Sequence, residues 1–244
     1  MAEAKQIIDF ARKRGVILRL IGGLAVRNHC VITFFCEREY LDIDFVGLSK
    51  QSEAISRLFE DLGYKENRNM WLTTAGNQKQ FYKKNLEDHV DVFLDSLKME
   101  HDIDLRERLN IEDYTISISD LLLSKIQIFE LNEKDVRDIL TMVKDLPLGE
   151  EDTKGVINVK YLAEICARNW GLYHDVMMNI DTCVKLMPNY NLTLEETEKI
   201  KTKLDKIKES IEKVPKTPKW KLRAKIGERR PWRRKVEEQR IAGT

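Results

Sequence analysis

The sequence predicts an α+β chain: a mixed sheet with flanking helices, followed by an α-helical half. Three observations predict it. Over the first 115 or so residues, segments of helical period alternate with short β-branched or strictly alternating runs. Beyond residue 115 the apolar spacing settles at 3.6 and stays there. Hydrophobic residues make up 42% of the 244, enough for a core, and charged residues reach 34%, against roughly 25% in an ordinary globular chain. That excess suits long solvated helices. Three parts are expected: an α/β portion over 1–115, a helical portion over 116–212 and a basic tail over 213–244.

Residues 3–13 place Ala4, Ile7, Ile8 and Ala11 on one helical face, and Gly15 stands where that helix should stop. Val16-Ile-Leu-Arg-Leu-Ile21 is a strand, broken by Gly22-Gly23, and a short helix starts over Leu24 to His29. Leu41-Asp-Ile-Asp-Phe-Val46 alternates, with Ile43 and Phe45 on one face and Asp42 and Asp44 on the other. An amphipathic helix over 50–62 carries Ile55, Leu58, Phe59 and Leu62 and ends at Gly63. Gly76-Asn77 suggests a hairpin between Met70–Thr74 and Gln80–Lys83, and His89–Leu94 is a further alternating strand.

In the second half, Ser119 is the expected cap of a helix bearing Leu122, Leu123, Ile126 and Phe129. A helix over 134–145 stops before Pro147, and a polar linker covers 149–157. Helices are expected near 158–169 and 171–187. Thr193-x-x-Glu196 is a capping box opening a helix with Ile200, Leu204, Ile207 and Ile211 on one face, ended by Pro215 and Pro218.

Several chemistries drop out. No run approaches the roughly 18 apolar residues of a membrane span, and the N-terminal residues lack the apolar segment of a signal peptide. Cys30, Cys36, Cys166 and Cys183 show no zinc-type spacing, so a cytoplasmic chain with reduced thiols is expected. There is no GxxxxGK[ST], no HExxH and no Ser-His-Asp order around the four histidines.

One constellation carries chemistry. Gly22-Gly23 closes a strand and opens a helix, Asp42-x-Asp44 follows on a second strand, and Asp91 lies on a third. Residues i and i+2 of a strand share a face about 6.5–7 Å apart, so these carboxylates can hold divalent ions together. Mg²⁺ takes one or two carboxylates plus substrate phosphates. A diglycine at a helix start lets backbone N–H groups approach a polyphosphate.

In that order, Leu20-Ile-Gly-Gly-Leu-Ala25, Leu41-Asp-Ile-Asp-Phe45 and Val90-Asp-Val-Phe93 resemble the signature of the DNA polymerase β-like nucleotidyltransferase superfamily. Ile118-Ser-Asp-Leu-Leu-Leu-Ser-Lys125, followed by Glu133-Lys-Asp-Val-Arg-Asp138, further resembles its AbiEii-type branch, which includes toxins of type IV toxin–antitoxin systems. The resemblance spans about residues 16–145. It implies a nucleotidyltransferase-fold sheet, and transfer of a nucleoside monophosphate from a triphosphate such as ATP to a hydroxyl on RNA, protein or a small molecule. It also implies Mg²⁺ or Mn²⁺ on Asp42, Asp44 and Asp91, which are the catalytic residues, and nucleotide contacts from Gly22, Gly23, Lys125 and Asp135. An antitoxin partner belongs to the toxin-like version of this reading. Leu24 and Ala25 stand where many members carry Ser or Thr, which leaves phosphate contact there to the backbone. Two alternatives are a non-catalytic RNA- or protein-binding module on the same fold and an antibiotic nucleotidyltransferase.

The net charge of +1 hides an acidic body and a basic tail. From Lys213 onward six lysines and six arginines face three glutamates, so the tail carries +9 and the remainder −8. Trp220 and Trp232 interleave with Arg223, Arg229, Arg230, Arg233 and Arg234. Such a tail can bind tRNA or other RNA by phosphate neutralisation and base stacking. Equally, its tryptophans can dock on the body of the protein or on a second subunit.

Overall fold

The computed structural model describes residues 1–31, 42–84 and 89–234. Its centre is a five-stranded mixed sheet made of β1 (Leu18–Ile21), β2 (Ile43–Gly47), β3 (Lys65–Glu66), β4 (Gln78–Tyr82) and β5 (His89–Leu94), in the order β1-β2-β5-β4-β3. Only the β2–β5 pairing is parallel. A short antiparallel pair follows, β6 (Ser96–Lys98) with β7 (Asp102–Asp104).

Alternation divides the sheet into two faces. Leu18, Leu20, Phe45, Phe81 and Val92 share the first, against α1 (Ala2–Lys13) and α3 (Ser52–Asp61). Phe59 of α3 stacks on Phe81 at 4.2 Å and lies 6.4 Å from Phe45, so the aromatic cluster pins that helix to the sheet. On the second side α2 (Gly22–His29) packs against β1 and β2 and in turn meets α5 (Ile118–Ile126) and α6 (Glu133–Asp145). Further helices complete the second half: α7 (Val159–Arg168), α8 (Trp170–Leu186), α9 (Leu194–Lys213) and α10 (Pro218–Ile226). The α9 capping box forms as expected between Thr193 and Glu196, and Ile200, Leu204, Ile207 and Ile211 are all buried. The expected fold class, a mixed sheet with flanking helices and then helices alone, is the one observed.

Four expectations need correction. Residues 70–74 form no hairpin strand; they lie mostly in a helix, α4 (Arg68–Thr73), and β4 pairs with β3 and β5 instead. The β-branched and aromatic run is overridden by packing. Trp71 lies under the Lys79 ammonium at 4.4 Å and against Gly76, while the Thr73 and Thr74 hydroxyls donate to Asn69 and Met70 carbonyls one turn back. The cap of α5 is Ser117, whose Oγ accepts from Asp120 N–H; Ser119 lies inside the helix, and its Oγ accepts from Asn158 N–H. Phe129 falls beyond the end of α5. Finally, Pro218 does not terminate α9 but opens α10 behind the Thr217 cap, where its missing N–H costs nothing.

No helix among the described residues is long and apolar enough to cross a membrane. Cys30, Cys166 and Cys183 are buried, and burial pushes the Cys166 and Cys183 thiols up to about 12, which keeps them protonated. Cys36 lies outside the described residues.

Candidate active site

The register of the sheet assembles the site. Ile21 pairs with Asp44, Asp44 with Asp91, and Asp91 with Gln80, so four adjacent strands contribute one row. Residues in such a row point to the same side, and neighbouring strands are about 4.8 Å apart. Asp44 and Asp91 are therefore side by side on the face that looks toward α5. Asp42 precedes β2 and is exposed, two residues further out.

Gly22 follows the row at the first position of α2, with φ +72°. A Cβ built there would come within 2.8 Å of Asp44 Oδ2. Any larger residue would displace that carboxylate, so the diglycine turn and the acidic row depend on one another. Gly22 and Gly23 form the first turn of α2, where backbone N–H groups have no intrahelical partner and anions are favoured.

Between this turn and α5 runs a cleft of roughly 160 Å³, bounded by Gly22, Asp44 and Phe93 on the sheet side and Ser124 and Lys125 on the helix side. The Lys125 ammonium reaches Asp135 Oδ1 at 2.9 Å and Asp138 Oδ2 at 3.1 Å. Burial works to lower its pKa, but these two carboxylates outweigh burial and hold it above the usual lysine value. Lys125 is thus a fixed positive charge at the cleft wall. Asp135 is its anchor, the third residue of α6, beneath the Asn132 cap.

Burial pushes Asp44 up to about 7, helped by the Asp91 and Asp42 carboxylates; Lys125 and His89 oppose the shift. Burial also raises Asp91, against His89 and hydrogen bonds from Gln78 and Gln80. Two partly buried carboxylates facing one another form a donor set that favours a cation. Among the described residues no three His, Cys, Asp or Glu side chains gather around one ion position. The closed three-carboxylate cage is therefore absent, with Asp42 at the exposed rim. What remains, a pair of neighbouring carboxylates of which Asp44 lines the cleft, fits an ion that completes its shell with water and substrate phosphates.

Gln80, Gln78 and His89 were not among the residues singled out from sequence. Gln80 Nε2 donates to Asp91 Oδ1 at 3.1 Å, and His89 Nε2 lies 3.4 Å from Asp91 Oδ2. The usable signal was the i, i+2 spacing of Gln78 and Gln80, which the assumed hairpin obscured. His29 lies apart from this group. Its Nε2 is 2.7 Å from Thr115 Oγ1, whose hydroxyl already donates to the Ile116 carbonyl, so His29 donates and is the Nε2–H tautomer.

The tryptophans of the tail are half-buried and pack against rings of the body. Trp220 meets Tyr173 edge-on at 5.1 Å. Trp232 lies 6.1 Å from Trp170 and 6.4 Å from Phe129, and its Nε1 donates to Asp175 Oδ1 at 2.8 Å. Arg223 donates to the Gly227 and Arg230 carbonyls, Arg233 covers the Phe129 ring, and Arg234 pairs with Asp102. Arg229 and Arg230 are exposed.

No protein-family model matches the chain, and no curated protein matches it. Among solved structures, the chain is similar to the lincosamide antibiotic adenylyltransferase LnuA bound to lincomycin, with a TM-score of 0.42 and 19% identity over 57% of this chain and 93% of that one. A second similar structure is the antibiotic-resistance factor ANT(2'')-Ia, with a TM-score of 0.33 and 10% identity over 85% of this chain and 92% of the other.

Proposed function

We propose that this protein transfers a nucleoside monophosphate from a nucleoside triphosphate to a hydroxyl acceptor. The observation that supports the reading best is the in-register pair Asp44 and Asp91, of which Asp44 lines a cleft that also presents Gly22 and Lys125. The motif order that resembles the DNA polymerase β-like superfamily points the same way.

In the reaction the acceptor oxygen bonds to the α-phosphorus as the bond from that phosphorus to the pyrophosphate oxygen breaks. The acceptor proton passes to the Asp91 carboxylate. Asp44 and Asp91, with Asp42 at the rim completing the set only once substrate is bound, would hold Mg²⁺ or Mn²⁺, which would supply neutralisation of charge on the transferring phosphate and on the leaving pyrophosphate. The free N–H groups of Gly22 and Gly23 bind triphosphate oxygens, and Lys125, anchored by Asp135 and Asp138, faces them as a compact cation. In this reading the portion 1–115 carries the carboxylates and the portion 116–212 closes the cleft. The acceptor is an RNA, a protein (the toxin-like version, with an antitoxin as partner) or a small molecule such as an antibiotic.

The test is incubation with each α-labelled nucleoside triphosphate and Mg²⁺ against total RNA and cell extract, asking which molecule acquires label. Asp44→Asn is expected to remove nearly all transfer while the thermal midpoint holds, because the substitution relieves repulsion from Asp91 and Asp42. Undiminished labelling by that variant would sink the role given to the carboxylate row. A non-catalytic module would bind neither Mg²⁺ nor triphosphate in calorimetry.

A further inference from the structure

The third carboxylate is held by a side-chain relay that begins outside the cleft. Gln80 is 8% exposed and lies in the same row as Asp44 and Asp91. Its Nε2 donates to Asp91 Oδ1 at 3.1 Å, and its Oε1 accepts from Asn67 Nδ2 at 2.8 Å. Asn67 is the N-cap residue of α4, yet its side chain makes no cap hydrogen bond to that helix. An asparagine in that position ordinarily caps. Here the amide is turned to Gln80 instead, and the Asn67 backbone N–H also donates to the Gln80 carbonyl at 2.8 Å.

The orientation of both amides follows from the carboxylate. An ionised Asp91 only accepts, so Gln80 must present its NH₂ group there, and its carbonyl oxygen is left for the NH₂ group of Asn67. Flipping either amide would set two acceptors face to face. With His89 Nε2 at 3.4 Å from the second oxygen, the Asp91 carboxylate is fixed from both sides.

We infer that Gln80, oriented by Asn67, is a positioning residue for Asp91, fixing the plane in which that carboxylate meets the metal and the acceptor hydroxyl. The inference rests on the transfer reading above. Neither residue touches the cleft wall formed by Gly22 and Lys125. Losing the relay should therefore affect the chemical step and leave triphosphate binding in place.

The test compares the full-length protein with Gln80→Met, which keeps the length and loses the donor, and with Asn67→Asp. The latter keeps the size, offers an acceptor to Gln80 Nε2, and so draws the NH₂ group away from Asp91. Two quantities are read: affinity for Mn²⁺ alone by paramagnetic resonance titration, and steady-state transfer of label from the triphosphate. In both variants the Mn²⁺ dissociation constant should rise and kcat should fall by roughly 10–100-fold, as for other groups that orient metal ligands. KM for the triphosphate should stay within about twofold, a split that general loosening of the fold would not produce. Should Gln80→Met fail to fold, the isosteric Asn67→Asp decides alone. Mn²⁺ affinity and kcat equal to wild type in the folded variants would overturn the inference. A wild-type protein that binds Mn²⁺ but labels no acceptor would overturn the transfer reading instead, and the metal titration would still judge Gln80.

Discussion

Gly22 and Asp44 occupy one another's space: the carboxylate oxygen of Asp44 fills the position a side chain on residue 22 would need, 2.8 Å from where its Cβ would stand. The glycine also has φ +72°, in the left-handed region. Gly22→Ala therefore carries two penalties. The backbone should cost about 1–2 kcal/mol, and the methyl group should push Asp44 off the row it shares with Asp91. A lower melting temperature together with Mn²⁺ affinity weakened on the order of tenfold is the expected result. If stability falls while metal affinity is untouched, Asp44 is not a ligand.

His29 offers a test through pH. Burial, aided by the charge of Lys5, pushes it down to about 4, below the ordinary value near 6.5. The folded protein therefore keeps this ring neutral where the unfolded chain takes up a proton. Its contribution to stability is complete above about pH 6.5 and is lost as pH falls toward 4. Denaturant unfolding of wild type and of His29→Gln, which can still donate to Thr115, should diverge in that window. The variant is expected to show the flatter pH dependence, and parallel curves would contradict the assignment.

The docked tail makes a third prediction. Asp175 is fully buried and receives His101 Nε2 at 2.7 Å, His174 Nδ1 at 3.0 Å and Trp232 Nε1 at 2.8 Å. Burial works against the Asp175 carboxylate, but these donors outweigh it and hold its pKa below the usual range. Trp232→Ala removes one donor and most of an aromatic contact, and should destabilise the protein by about 3 kcal/mol or somewhat less. If the docked tail binds single-stranded RNA, the exposed Arg229 and Arg230, together with exposed Lys219, Lys221 and Lys225, are placed to supply the phosphate contacts. Replacing both arginines with Ala should then flatten the salt dependence, while tryptophan fluorescence should change little on binding. Strong quenching would mean the rings leave their sites to stack on bases.

Much of the sheet was legible because its strands alternate cleanly. Phe45 and Val92 sit on the buried face and Asp44 and Asp91 on the other, as a period of two requires. The diglycine turn was equally plain. Pairing was not, because the contact between residues 44 and 91 is nonlocal, and nothing in either segment names its partner. The run Met70–Thr74 misled because strand propensity and helical packing compete there, and the Trp71 contacts with Lys79 and Gly76 become visible only in three dimensions. Losing that helix hid Asn67 as its cap and Gln80 as a member of the row. Lys125 was found as a residue, but its clamp between Asp135 and Asp138 depends on how α5 meets α6.

The central position of β5 has a consequence for how the protein comes into being. It is the last of the five strands along the chain, yet it inserts between β2 and β4. Until it arrives, the first four strands lack the neighbour that joins them, and Asp44 has no companion. A chain ending before about residue 95 can hold neither the complete sheet nor the Asp44–Asp91 pair. Competence to bind a cation should thus appear in one step with completion of the fold, late and all at once, as expected where distant segments must meet before either is rewarded.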